Sequence, residues 1–145
     1  MKRWITLLML AIVATLAFAA CGSGESAAAK FEKQRYQELA NAQYDQAWET
    51  LHPAQQAVVS KDAFVACGQK TTPDASTKIE VKSEKDEQLD VPQIGPSSVH
   101  SVAVTLRFGD KLRTPTDNLI KVDGKWRWTL NQATIDAFKA GGCPR

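Results

Sequence analysis

Histidine and cysteine are scarce in this chain: two histidines, His52 and His100, and three cysteines, Cys21, Cys67 and Cys143, in 145 residues. No two cysteines form a Cys-x-x-Cys pair and the histidines stand alone, so the clustered ligands of a zinc site are missing. A Ser-His-Asp signature, a glycine-rich phosphate loop and an internal repeat are missing too. No metal and no cofactor are expected. An excess of basic charge is also lacking, since Lys plus Arg is 18 and Asp plus Glu is 16, for a formal net charge of +2. Two of those basic residues, Lys2 and Arg3, belong to a leader segment, and removing them leaves 16 basic against 16 acidic residues. Nucleic acid is not an expected partner, because phosphate neutralisation supplies most of that affinity. What is present, 43% hydrophobic and 23% charged residues, suits one folded globular domain.

Residues 1–20 read as an export signal. Lys2 and Arg3 supply a positive start, and Ile5 to Phe18 form an apolar stretch without charge. That stretch falls short of the about 20 residues a membrane-spanning helix requires, so a signal peptide fits it better. It ends in Leu16-Ala17-Phe18-Ala19-Ala20-Cys21-Gly22, and small residues directly before a cysteine resemble the lipobox of bacterial lipoproteins. The resemblance implies diacylglyceryl transfer to the Cys21 sulfur, cleavage after Ala20 and acylation of the new amino terminus. Phe18 stands where that family usually has leucine. The other reading is an ordinary signal peptide cut at an Ala-x-Ala site such as Ala17-Phe18-Ala19. With lipid on Cys21, residues 21–29 become a short flexible tether. The expected location is then the extracytoplasmic side of the cell membrane, and the membrane itself is a partner through the anchor.

Lipidation of Cys21 leaves Cys67 and Cys143 free to pair. Outside the cytoplasm a disulfide between them would persist. It would close a long loop, worth roughly 4 kcal/mol in the chain-entropy account, and pin the carboxyl end onto the body. The alternative is a metal or catalytic role for Cys67.

The rest, residues 30–145, reads as one domain. From Ala27 the pattern is helical, with Phe31, Tyr36, Leu39 and Ala40 as the apolar stripe and Lys30, Glu32, Lys33, Arg35 and Glu38 covering the remainder. A break at Asn41-Ala42-Gln43 precedes a second stripe, Tyr44, Ala47, Trp48 and Leu51, which ends at His52-Pro53. Pro53 suits the first position of a short helix. Ser60 caps another helix that stops near Gly68. After Pro73 the period becomes two. Ile79 and Val81 open a strand that continues toward Leu89 and Val91, with a turn at Pro92, Gly95 and Pro96. Val102, Val104, Leu106 and Phe108 form the cleanest strand. Residues 112–116 are either strand or loop. Leu119–Val122 and Lys125–Leu130 form a hairpin about Asp123-Gly124, a type I′ signal. Asn131 caps a last helix, Gln132 to Ala140, stopped by Gly141. Helices, a meander of three or four strands and a closing helix predict an α+β class: N-terminal helices on the concave side of a curved antiparallel sheet.

The run Tyr36-x-x-Leu39-Ala40-Asn41-Ala42-Gln43-Tyr44-Asp45-Gln46-Ala47-Trp48-x-x-Leu51-His52-Pro53 resembles the opening of NTF2-like (cystatin-like cone) domains. Ile120-Lys121-Val122-Asp123-Gly124-Lys125-Trp126-Arg127-Trp128 is similar to the last hairpin of that fold. The resemblance implies a cone that encloses a pocket. It leaves function open, because the same cone hosts isomerases, dehydratases, cyclases, transport factors and many small lipoproteins.

Enzymes of the ketosteroid-isomerase kind use an Asp base with Tyr and acid donors in such a cone. Here Asp45, Tyr36, Tyr44 and His100 are the residue types available, but Asp45 near a helix start is ordinarily a cap or dipole partner. His52 reads as a junction residue bonding local backbone, and His100 as a core or rim residue on the face of Val102 and Val104. Tyr44, Trp48, Trp126 and Trp128 are either core or the lining of a small apolar cavity. No catalytic residue is assigned. The expectation is a non-catalytic binding or accessory module of the bacterial cell envelope, facing a small hydrophobic ligand or an envelope protein. A small cone-fold enzyme and a structural spacer are the alternatives.

Overall fold

Ser26 sets the start of the first helix. Its side-chain oxygen accepts a hydrogen bond from the Ala29 amide at 3.0 Å, which satisfies one of the orphan donors of a helix start. The computed structural model describes residues 24–71 and 74–144. The leader and Cys21 lie outside the described residues. Helix α1 runs Ala27–Ala40. It ends at Asn41, and Ala42 takes a φ of 59° to turn the chain. Helices α2 (Tyr44–Glu49), α3 (Pro53–Gln56) and α4 (Lys61–Gly68) follow. His52 caps α3 by accepting from the Ala54 amide through Nδ1, and Pro53 fills the first position, where a missing N–H costs nothing. Ser60 caps α4 through the Ala63 amide.

Five strands follow: β1 (Lys78–Val91), β2 (Gly95–Phe108), β3 (Lys111–Arg113), β4 (Thr116–Val122) and β5 (Lys125–Trp128). All pairings among them are antiparallel, in the order β1-β2-β4-β5, with the short β3 also on β2. β1 is therefore an end strand with no strand partner on its other side among the described residues. Its register shifts between Val81 and Ser83, so Lys82 is the extra residue of a bulge. Asp123 and Gly124, at φ 51° and 76°, make the tight β4–β5 turn. Helix α5 (Gln132–Lys139) is capped by Asn131 and closes with Gly141 at φ 72°. There the Gly142 amide donates to the Ala137 carbonyl and the Gly141 amide to that of Phe138, a Schellman closure.

The class is α+β, with five helices and a five-stranded antiparallel sheet among the described residues. The sheet has one strand more than the upper expectation, because residues 111–113 pair with β2. One hydrophobic cluster draws on every layer of the sequence: Ala28 from α1, Leu51 and Val59 from the helical linkers, Val102 and Val104 from β2, Leu119 from β4, Trp128 from β5, and Ile135 and Phe138 from α5. Gln55 stitches three segments together. Its amide nitrogen donates to the carbonyls of Pro92 and Leu130, and its amide oxygen accepts from the Leu130 N–H. It is fully buried with its polar atoms satisfied, as burial demands.

The buried face of α1 is not the apolar stripe expected from the sequence. Phe31, Tyr36, Leu39 and Ala40 are half-buried, while Ala28, Ala29, Glu32, Arg35 and Glu38 are buried. Ala28, Glu32 and Arg35 fall at i, i+4 and i+7, so they share one side of the helix. Charged residues can occupy that side because they bring their own counter-charges.

Candidate functional site

Arg35 is the centre of a buried ionic cluster. Its guanidinium donates from Nε and Nη2 to the two oxygens of Glu32, one helical turn back. Nη2 also donates to Oδ2 of Asp117 on β4, at 2.9 Å. The Tyr36 hydroxyl donates to the same Asp117 oxygen. Asp117 pairs across the sheet with Val102, which belongs to the core, so the pleat aims it at the helix. Glu32 is 0% exposed and Arg35 4%.

Burial dominates the protonation of this cluster. It drives the Glu32 carboxyl up to about 7, against the opposing pull of Arg35. Burial also pulls on Arg35, but Glu32 and Asp117 more than offset it, so the guanidinium stays charged. Burial and the nearby Asp117 hold the Tyr36 hydroxyl protonated as a donor, although Arg35 acts the other way. The second carboxylate, Asp117, adds a smaller push in the same direction as burial on Glu32.

The other face of Arg35 meets aromatic rings. Its guanidinium carbon lies 4.2 Å from the Tyr36 ring centre and 4.6 Å from that of Trp128. Trp128 is fixed by its indole N–H, which donates to the Ala47 carbonyl at 2.8 Å. Beside Trp128 opens a cavity of about 320 Å³ walled by Tyr44, Phe64, Leu130 and Phe138, with Arg35 as the one charged residue of its lining. That size lies at the small end of the about 300–1,000 Å³ range of ligand sites. Gly68 makes room for one wall: a Cβ there would stand 2.5 Å from the Tyr44 ring. The Tyr44 hydroxyl lies 3.2 Å from Thr71 Oγ1.

The Cys67–Cys143 disulfide lines the same cavity, with Cα atoms 5.4 Å apart and a separation of 76 positions in the chain. α4 presents Cys67, and the turn after α5 brings Cys143 to it. The bridge thus carries the carboxyl-terminal segment, including Pro144, to the edge of the cavity.

The four aromatic residues singled out in the sequence divide. Tyr44 and Trp128 line the cavity together. Trp48 lies elsewhere, its indole donating to the Val59 carbonyl at 2.9 Å and its ring 5.8 Å from Lys61 Nζ. Trp126 stacks near His100, with ring centres 5.5 Å apart and Lys121 Nζ 4.7 Å from its ring centre. Trp126 and His100 line a separate depression with Asp86 and Leu119. His52 is the junction residue its position suggested: besides capping α3, its own N–H donates to the Trp128 carbonyl. Burial, then Arg127, lowers its basicity, which keeps Nδ1 an acceptor. His100 sits half-buried on the rim, Nδ1 2.7 Å from Asp86 and Nε2 2.8 Å from Glu84. Burial lowers its basicity, but those two carboxylates raise it more. Asp45 is exposed in the first turn of α2, away from the cavity.

Sequence reasoning missed Glu32, Arg35 and Asp117. The signal for Asp117 was present: it shares strand parity with Leu119, so a charged residue falls on the core-facing side of β4. Among the described residues there is no group of three His, Cys, Asp or Glu placed to hold a metal ion. No helix among them is long and apolar enough to cross a membrane. No protein-family model matches the chain, and no curated protein matches it.

Proposed function

We propose that this chain is a lipid-anchored protein of the bacterial cell envelope whose domain, a cone of the NTF2-like kind, holds a small apolar molecule without transforming it. The observation that carries the binding half is the cavity walled by Tyr44, Phe64, Trp128, Leu130 and Phe138, with a single charged side chain in its lining. Ligand sites have this make-up, mostly apolar with a few placed polar groups. The envelope half rests on residues 1–21 and on the Cys67–Cys143 bridge, since structural disulfides persist where the surroundings oxidise. The cone reading is supported by the antiparallel sheet and by the Arg35–Asp117 pair, which ties α1 to β4.

A small enzyme is the second reading, and the buried carboxylate pair is the observation in its favour. Split protonation of two nearby acids is how one site runs acid and base chemistry. Yet a general base has to reach the proton it takes. Neither Glu32 nor Asp117 lines the cavity, and both are engaged by Arg35. A binding role therefore fits better.

Two measurements test the proposal. Fractionation of cells that express the full chain should place it in the membrane fraction with label from radioactive palmitate, and Cys21→Ser should move it to the soluble fraction without label. Unlabelled, soluble wild-type chain refutes the anchor. For the cavity, the neutral dye N-phenyl-1-naphthylamine should brighten on mixing with the protein and dim when toluene is added. No brightening refutes the apolar site.

A further inference from the structure

We propose that the molecule held in this cavity carries one uncharged hydrogen-bond acceptor, a hydroxyl or carbonyl oxygen, seated on Nη1 of Arg35, and that the corresponding carboxylate is turned away. The inference rests on the small-ligand reading above and adds the chemistry of the ligand's polar end. Arg35 is 4% exposed and lines the cavity. Its Nε and Nη2 are engaged with Glu32 and Asp117, whereas Nη1 has no hydrogen-bond partner among the described residues. The fully buried side-chain polar atoms left without a partner there are Glu38 Oε2 and Arg127 Nε, so Nη1 is not sealed off entirely. The open space beside Arg35 is the cavity. A donor at the end of an apolar wall is costly to leave dry and rewarding to pair.

The charge of the ligand follows from what surrounds the guanidinium. Glu32 and Asp117 already give two carboxylates to one cation, with the Tyr36 hydroxyl as a further donor to Asp117. A third carboxylate on Nη1 would enter a low-dielectric site whose positive charge is spent, and like charges repel strongly there. An uncharged oxygen gains the hydrogen bond without that repulsion. Tyr44 OH and Thr71 Oγ1 are in contact with each other, and neither is a hydrogen-bond partner of Arg35.

The test uses the full chain with Cys21→Ser, which removes the thiol that would carry lipid, at pH 8. Three probes are titrated separately: 1-octanol, octanoate, and toluene, which has no acceptor oxygen. Binding is read from the amide resonances of Phe64, Gly68 and Thr134. Octanol should bind at least about tenfold more tightly than octanoate, the size of one hydrogen bond to a charged group. Arg35→Lys keeps a cation for Glu32 and Asp117 but withdraws Nη1. It should cost octanol about tenfold while toluene binding stays unchanged. Octanoate binding as tightly as octanol overturns the inference, as does an Arg35→Lys variant with undiminished octanol affinity. If Arg35→Lys does not fold, the octanol–octanoate comparison on the Arg35 chain decides alone. Toluene binding without any preference for octanol over octanoate sinks this inference and leaves the cavity reading standing. No shift with any of the three probes removes both.

Discussion

Replacing Glu32 by glutamine separates the two forces that act on that buried carboxyl. In water a glutamate loses its proton near 4.5, but in the folded protein burial moves this to about 7. The folded state thus holds a proton over a range where the unfolded chain does not. Stability is full below about 4.5 and is lost as pH climbs through about 7, because each tenfold difference in proton affinity between the two states is worth about 1.4 kcal/mol. The expected loss across that window is about 3 kcal/mol for this group alone. Glutamine is uncharged at every pH and its oxygen still accepts from Arg35. The difference in unfolding free energy between the wild type and Glu32→Gln should therefore change by about 3 kcal/mol between about pH 4.5 and about pH 8, with the variant gaining as pH rises. Urea melts at closely spaced pH values measure it, and differencing the two proteins cancels the other titrating groups. A difference that stays flat with pH would mean that Arg35 keeps Glu32 ionised throughout, and the account of burial winning over the ion pair would be refuted.

Removing the disulfide with Cys67→Ala and Cys143→Ala together should lower stability by about 4 kcal/mol in the chain-entropy account. Calorimetry should then give the double variant the same melting point with and without dithiothreitol, while the wild type melts earlier when reduced. Gly68→Ala places a methyl 2.5 Å from the Tyr44 ring. Overpacking of that kind costs about 1–3 kcal/mol, and denaturant titration giving no loss would contradict the close approach. The His100 imidazole should titrate above its ordinary 6.5, because Asp86 and Glu84 outweigh the effect of burial. Its contribution to stability is present below that ordinary value and fades as pH rises through the raised one. A carbon-detected histidine titration with a midpoint at or below 6.5 would rule out the two-carboxylate clasp.

Local chemistry was readable where one residue type decides the outcome. Pro53, Ser60, Asn131 and Gly141 stand at the helix ends their types suggest, and Asp123-Gly124 is the tight turn. The cap at Ser26 escaped notice because the residues after it are plain alanines, without an acidic partner to mark the start. Pairings distant in the sequence were hidden. The strand expected to continue from Ile79 and Val81 toward Leu89 and Val91 is there as β1, but its match to β2 and the bulge at Lys82 left no mark in the local pattern. The ionic side of α1 was hidden for the same reason. Arg35 and Asp117 are separated by 82 positions, and a charged residue reads as solvent-facing until its counter-charge is known. The two tryptophans on β5 share a strand face, yet only Trp128 reaches the cavity, because the strand carries Trp126 out toward His100.

The outer border of β1 has a further consequence. A long strand with free amides and carbonyls invites another strand to zip onto it. Here eight of fourteen residues are charged, and the bulge at Lys82 breaks the even spacing that a newcomer would need to match. Under the proposed anchor, many copies confined to one surface would collide side-on far more often than the same number free in solution. A bristling, uneven margin of this sort lets them jostle at high density without fusing into one continuous sheet.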